Sequence, residues 1–131
     1  MKRKGFTLVE IMIVVAIIAL LAAIAVPTLV TAKRTANEAA AKANVRSLST
    51  AAETFATGHN GIYPADVAEL ATFIASAPNF CAASGATAVQ GYNYTCTLAA
   101  GGYTITAAPV TQGTTGSVTY SATTGGVLTP L

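Results

Sequence analysis

The sequence predicts an α+β chain, in which one long N-terminal α-helix packs on a small antiparallel β-sheet of three to four strands. Three observations predict it. Ile11–Ala32 is a run of 22 residues without a charged side chain, and no glycine occurs from Thr7 to Thr57, where Pro27 is the single proline. Beyond residue 90 the period of apolar residues changes to two, with tyrosines alternating against threonines. Between these regions stands turn chemistry, Asn60-Gly61-Ile62-Tyr63-Pro64.

The helix begins at Thr7-x-x-Glu10, which has capping-box spacing: the Thr side chain can accept from one orphan N–H while the Glu reaches back to another. A carboxylate there is also favoured by the helix macrodipole. This reading of Glu10 needs no partner. The other reading starts from cost, because an acid at mid-depth of a membrane segment is unfavourable by about 2.5–3.5 kcal/mol and calls for a charged partner. Sequence physics leaves both open.

From Ile11 to Val26 the helix is apolar on every face, as expected of a helix surrounded by lipid or by other helices. At about 1.5 Å per residue the uncharged run reaches roughly 33 Å, enough to cross a hydrocarbon core of about 30 Å. Lys2, Arg3 and Lys4 precede it and favour a cytoplasmic N-terminus; Lys33 and Arg34 at the far end weaken that orientation. Ala16, Ala19, Ala22, Ala23 and Ala25 would let neighbouring helices approach closely. Pro27 predicts a kink or local melting around Ala23 to Pro27. A secretory signal peptide also has a basic start and an apolar stretch. Here the apolar run is longer, and it continues without a turn into further helix.

The order of basic leader, Gly5, Phe6-Thr7-Leu8-Val9-Glu10 and long apolar helix resembles the type III signal of type IV pilins and pseudopilins, closest to the type IVa-like pilins. The Asn-Gly-x-Tyr-Pro pattern at residues 60–64 extends the resemblance. It implies the pilin fold, cleavage between Gly5 and Phe6, and methylation of the new Phe6 amine. It implies that Glu10 pairs with the free amine of Phe6 on the next subunit, and that Pro27 marks a stretch that unwinds on assembly. The glycine that often weakens that stretch is missing, since residue 19 is Ala. The implied partners are copies of the chain in a helical filament, a prepilin peptidase, an inner-membrane assembly platform and, before assembly, membrane lipid. The implied location is the inner membrane first and an extracellular pilus afterwards.

The resulting organisation is a leader at residues 1–5 that is removed, a transmembrane and assembly helix at 6–32, and a globular domain at 33–131 that includes the upper half of the long helix. In that upper half, Ala41, Val45, Leu48, Ala52 and Phe55 recur at spacings of four and three and mark one apolar face. Lys42, Arg46, Ser49 and Glu53 fall outside it; Glu38 and Lys42 have i,i+4 spacing for an ion pair. Lys33, Arg34, Lys42 and Arg46 read as a solvated face, and Gly58 as the C-cap. His59 stands alone as a loop residue and not a metal ligand. Asp66-x-x-Glu69 starts a short helix with Val67, Leu70 and Ile74 on one side, ending near Pro78; this explains the carboxylate pair without catalysis.

Cys81 and Cys96 are the two cysteines of the chain. In the oxidising compartment beyond a membrane helix they read as a disulfide, because no further ligands accompany them and they are not a CxxC pair. Tyr92, Tyr94, Cys96 and Leu98 form one side of a first strand, followed by a turn at Ala99–Gly102. Tyr103, Ile105 and Ala107 form a second strand, Val118 and Tyr120 a third, and Val127 and Leu128 a last short one. The tyrosines are sheet and core residues.

After Glu69 there is no charged residue through Leu131. Omitting the leader, four cations stand against five acids, which gives no basis for a cationic nucleic-acid surface, and no specific nucleic acid is expected. The neutral, threonine-rich surface suits a protein that packs against copies of itself or carries glycans. No Ser/His/Asp set, phosphate loop or metal cluster is present in the sequence, so the chain is not expected to be an enzyme, and no cofactor is expected. The function that the resemblance implies is a structural subunit of a type IV pilus, serving adhesion, motility or DNA uptake. The alternative is a pseudopilin of a type II secretion system, for which the lack of any acid after Glu69 removes the carboxylates of a C-terminal Ca²⁺ site. A membrane-tethered binding module that never polymerises would leave Gly5-Phe6 and Glu10 without a purpose beyond capping.

Overall fold

A computed structural model describes residues 5–81 and 88–131 of the chain. Lys2, Arg3 and Lys4 of the expected leader lie outside the described residues. The elements in order are α1 (Leu8–Gly58), α2 (Val67–Ala71), α3 (Ala77–Phe80), β1 (Tyr92–Ala99), β2 (Gly102–Pro109), β3 (Tyr120–Thr123) and β4 (Val127–Pro130). This is the expected α+β pilin-like fold, a long N-terminal helix with a four-stranded antiparallel sheet. The chain divides into two compact units, Met1–Ala32 and Lys33–Leu131.

In the first unit the side chains of Leu8 to Val30 are exposed, from Leu8 at 75% to Val30 at 44%. α1 contains one segment apolar and long enough to cross a membrane. Helix is continuous through Pro27, so the local melting expected at residues 23–27 is not a property of the single chain. Pro27 has no N–H to give the Ala23 carbonyl. Beside that gap the Thr28 hydroxyl donates to the Ile24 carbonyl at 2.7 Å, and the Thr31 hydroxyl donates to the Pro27 carbonyl at 3.0 Å.

In the second unit, α1 buries Ala41, Val45, Leu48, Ala52 and Phe55, the face that the spacing predicts. Against it lie Leu70 of α2, Ala77 of α3, and Tyr92, Tyr94, Tyr103, Ile105, Ala107 and Ala122 of the sheet. The sheet is a meander in the order β1-β2-β3-β4. Its register puts Cys96, Ile105, Ala122 and Leu128 in one cross-strand row, and Tyr94, Ala107, Tyr120 and Pro130 in the next. Both rows are on the face with the core; the opposite face carries Thr95, Thr97, Thr104 and Thr123, all exposed.

Four local expectations change. Gly58 is the last residue of α1, and the left-handed conformation that ends the helix belongs to Asn60 (φ 56°), with the Gly61 N–H closing back on the Ala56 carbonyl at 2.8 Å. Asn is one of the few side chains that tolerates that conformation. The helix from Asp66 ends at Ala71, short of Ile74, and Pro78 opens α3 instead of closing α2, because a proline in the first turn forfeits no helical bond. Glu38 accepts from both the N–H and the hydroxyl of Ser117, at 2.7 Å each, and among the described residues it forms no ion pair with Lys42. Val118 precedes β3, which begins at Tyr120.

Cys81, at the end of α3, is joined to Cys96 of β1, with Cα atoms 5.2 Å apart. Closing a loop of this length stabilises the fold by about 3 kcal/mol in the chain-entropy account. Beside it, Phe80 packs edge-on against Tyr94 with ring centres 4.9 Å apart.

Candidate functional site

The residues singled out for processing and assembly lie at the start of α1. Gly5, Phe6 and Thr7 precede the helix and are exposed, Phe6 at 85%. The peptide between Gly5 and Phe6 therefore lies outside helical hydrogen bonding. Space around Gly5 is free, with nothing within 4 Å of where a Cβ would stand.

Thr7 and Glu10 form the capping box that their spacing predicts. The Thr7 N–H and the Thr7 hydroxyl both donate to Glu10 Oε2 at 2.8 Å, and the Glu10 N–H donates to Thr7 Oγ1 at 3.2 Å. Two donors converge on one carboxylate oxygen, and among the described residues none reaches Oε1. Glu10 therefore has an acceptor left for a donor from outside the chain. Phe6, Ile13 and Val14 line an apolar recess beside it. Pro27 lies seventeen positions further along α1 and does not join this group.

The description "Prokaryotic N-terminal methylation motif" belongs to the family whose pattern matches residues 1–26. The chain is 46% identical over 54 residues to the Type IV major pilin protein PilA of Myxococcus xanthus, across 41% of this chain and 24% of that protein. It is 57% identical over 35 residues to the Type IV wide pilus major component PilA4 of Thermus thermophilus, across 27% of each. Residues 1–26 of this chain carry that N-terminal methylation motif. The matches span about a quarter of the length of these curated relatives. No solved structure matches the chain.

Outside residues 1–26, no spacing in the sequence discloses how α1 is fastened to the sheet. Glu53 accepts from the Tyr103 hydroxyl at 2.8 Å and the Gly125 N–H at 2.7 Å on Oε1, and from the Tyr63 hydroxyl at 3.1 Å on Oε2. Ser49, expected outside the apolar face, is buried with its hydroxyl 2.7 Å from that of Tyr103. Lower on α1, the Asn37 amide donates to the Thr115 carbonyl at 3.0 Å, next to the Glu38–Ser117 pair. Those two Ser117 bonds hold the Glu38 carboxyl below the usual carboxylate range, the hydroxyl contributing most. A signal was available: tyrosines that bury their rings need a partner for the hydroxyl.

His59 stacks on Phe55 with ring centres 3.9 Å apart, and its Nδ1 lies 2.8 Å from the Phe55 carbonyl oxygen. That arrangement makes it part of the helix end. Asp66 caps α2 by accepting from the Glu69 N–H at 2.8 Å, and Glu69 accepts from the Ala65 N–H at 2.8 Å. Both acids are thus used in starting α2, as their spacing predicts.

Proposed function

We propose that this chain is a structural subunit of a type IV pilus, polymerising through its N-terminal helix into a filament used for adhesion, motility or DNA uptake. The observation that carries the reading is Glu10, a carboxylate with one unoccupied oxygen at the head of an exposed apolar helix, four residues from the Gly5–Phe6 junction. The names of the two relatives, a major pilin and a major pilus component, support it. They do not favour the pseudopilin alternative. The role is structural and not catalytic.

In this reading residues 1–5 are removed by a prepilin peptidase, which frees and exposes the Phe6 amine for methylation. Residues 6–32 hold the subunit in the inner membrane until an assembly platform extracts it, and residues 33–131 form the globular domain. In lipid the leading chain end is positive and Glu10 is negative, so neither is well placed alone. When subunits associate, the Phe6 amine of an incoming copy offers Glu10 a charged donor, and the desolvation cost of each is offset by the other. The apolar faces of neighbouring helices then replace lipid. Pro27 marks the stretch where helix yields most easily, since one backbone bond is already missing there.

Intact-mass spectrometry of the protein in the sheared cell-surface fraction and in the membrane fraction tests this. Abundant surface material lacking residues 1–5 and methylated on Phe6 is the expected result. Processed protein confined to the envelope would favour the pseudopilin alternative, and an uncut chain would sink the proposal.

A further inference from the structure

The charges of the second unit are segregated. Its four cations, Lys33, Arg34, Lys42 and Arg46, all lie on α1 within residues 33–46, and its four acids are Glu38, Glu53, Asp66 and Glu69. Glu38 and Glu53 are engaged inside the unit, with Ser117 and with Tyr63, Tyr103 and Gly125. Asp66 and Glu69 remain exposed at the start of α2. Each uses one oxygen for capping, Oδ1 of Asp66 and Oε2 of Glu69, and keeps the other free. Lys42 and Arg46 are exposed one turn apart on α1, and among the described residues no carboxylate pairs with either. The unit thus carries a bare positive patch and a bare negative patch with a net charge of zero. Such neutrality lowers the barrier to self-association.

We propose that Lys42 and Arg46 of one copy meet Asp66 and Glu69 of a neighbouring copy, as a second contact between subunits. The proposal rests on the filament reading and adds to it a partner surface on the globular unit. A second copy fits the positive patch because this chain itself displays the complementary acids, and no other charged residue follows them to Leu131. Two different patches in contact make a heterologous interface, which builds an open helical polymer wherever its rotation does not close into a ring. Charges placed so also reject wrong registers, in which like signs would face each other.

The test uses the full chain in cells that assemble it. Lys42→Glu with Arg46→Glu places acids against acids and is expected to lower the filament recovered by shearing by about fivefold or more, an effect that shrinks with added salt. Asp66→Asn with Glu69→Gln removes the negative charge and keeps both capping acceptors, so α2 is retained. Combining the two pairs is expected to restore filament relative to Lys42→Glu with Arg46→Glu alone, because the repelling acids are gone. Removal of residues 1–5 and formation of the Cys81–Cys96 bond serve as controls for insertion and folding. Filaments unaffected by Lys42→Glu with Arg46→Glu would overturn the contact. Loss without restoration in the combined variant would overturn it too, and would assign the cations to another partner such as anionic lipid. If the unaltered chain forms no filament at all, the filament reading itself fails.

Discussion

The Tyr103 hydroxyl donates to Glu53 Oε1 at 2.8 Å, and this bond joins the long helix to the second strand at the edge of the core. With its proton given to Glu53, Tyr103 accepts from the Ser49 hydroxyl at 2.7 Å, so three side chains form one directed chain. The same Glu53 carboxylate holds Tyr63 and the Gly125 N–H of the β3–β4 turn. Glu53→Ala would leave two tyrosine hydroxyls and a backbone N–H without this acceptor. We expect a loss of about 1–3 kcal/mol, the cost of one buried polar group left unpaired, carried by the buried Tyr103; Gly125 is exposed and water can replace its acceptor. Glu53→Gln retains one acceptor and should cost less. Thermal unfolding of the detergent-solubilised chain measures both, and equal stability of Glu53→Ala and the unaltered protein would contradict the assignment.

Alkaline pH reaches Tyr103 and Tyr92. Burial first, and then the Glu53 carboxylate, push the Tyr103 hydroxyl up to about 12, and burial pushes Tyr92 up to about 12 as well. An unfolded tyrosine loses its proton near pH 10. Between about pH 10 and pH 12 the unfolded chain therefore binds fewer protons than the folded one, and stability falls as pH rises. It is fully present below pH 10. Unfolding midpoints across pH 8–12 should decline from about 10 upward, and Tyr103→Phe should flatten part of that decline. A flat profile to pH 12 would show that these hydroxyls titrate normally.

Gly116 has a role that no pattern in the sequence announces. It is buried, and a Cβ there would run into the ring and hydroxyl of Tyr92, which donates to the Val118 carbonyl at 2.9 Å. Tyr92 is fully buried at the start of β1 and has little room to retreat. Gly116→Ala should destabilise the fold by about 1–3 kcal/mol, the usual range for overpacking. Gly113 is the contrasting control for space, with nothing within 4 Å, although its φ of +83° strains any replacement. Equal stability of Gly116→Ala would mean that Tyr92 can shift at no cost.

What was legible in the sequence was what repeats. Ala41, Val45, Leu48, Ala52 and Phe55 could be read because a helix returns to the same face every three or four residues, and Tyr92, Tyr94 and Cys96 because a strand alternates. The capping boxes at Thr7–Glu10 and Asp66–Glu69 are local, within one turn, and so spacing alone reveals them. Glu38–Ser117 and Glu53–Tyr103 join residues 79 and 50 positions apart, and nothing in either neighbourhood encodes the other. Pro78 misled for a different reason: a proline both stops and starts helices, and only the chain direction after Ala71 decides which. For the N-terminal segment, spacing disclosed the cap but not the occupancy of each oxygen of Glu10.

That occupancy separates the two roles of Glu10. Gln is as good a capping-box residue as Glu, so Glu10→Gln preserves the bond from the Thr7 N–H to Oε and removes the negative charge. Thr7→Val does the reverse, deleting the hydroxyl that donates to Oε2 and accepts from the Glu10 N–H while leaving the carboxylate in place. If the cap is all that matters, Thr7→Val should impair the protein more than Glu10→Gln. If the free Oε1 receives the amine of a neighbouring subunit, Glu10→Gln should abolish filament while insertion and cleavage after Gly5 continue. Thr7→Val should then assemble with about the cost of a lost cap, near 1 kcal/mol, seen as a moderate fall in yield. Counting processed subunits in membrane and sheared fractions of both variants distinguishes the outcomes. Normal filaments from Glu10→Gln would leave the carboxylate with capping as its sole role.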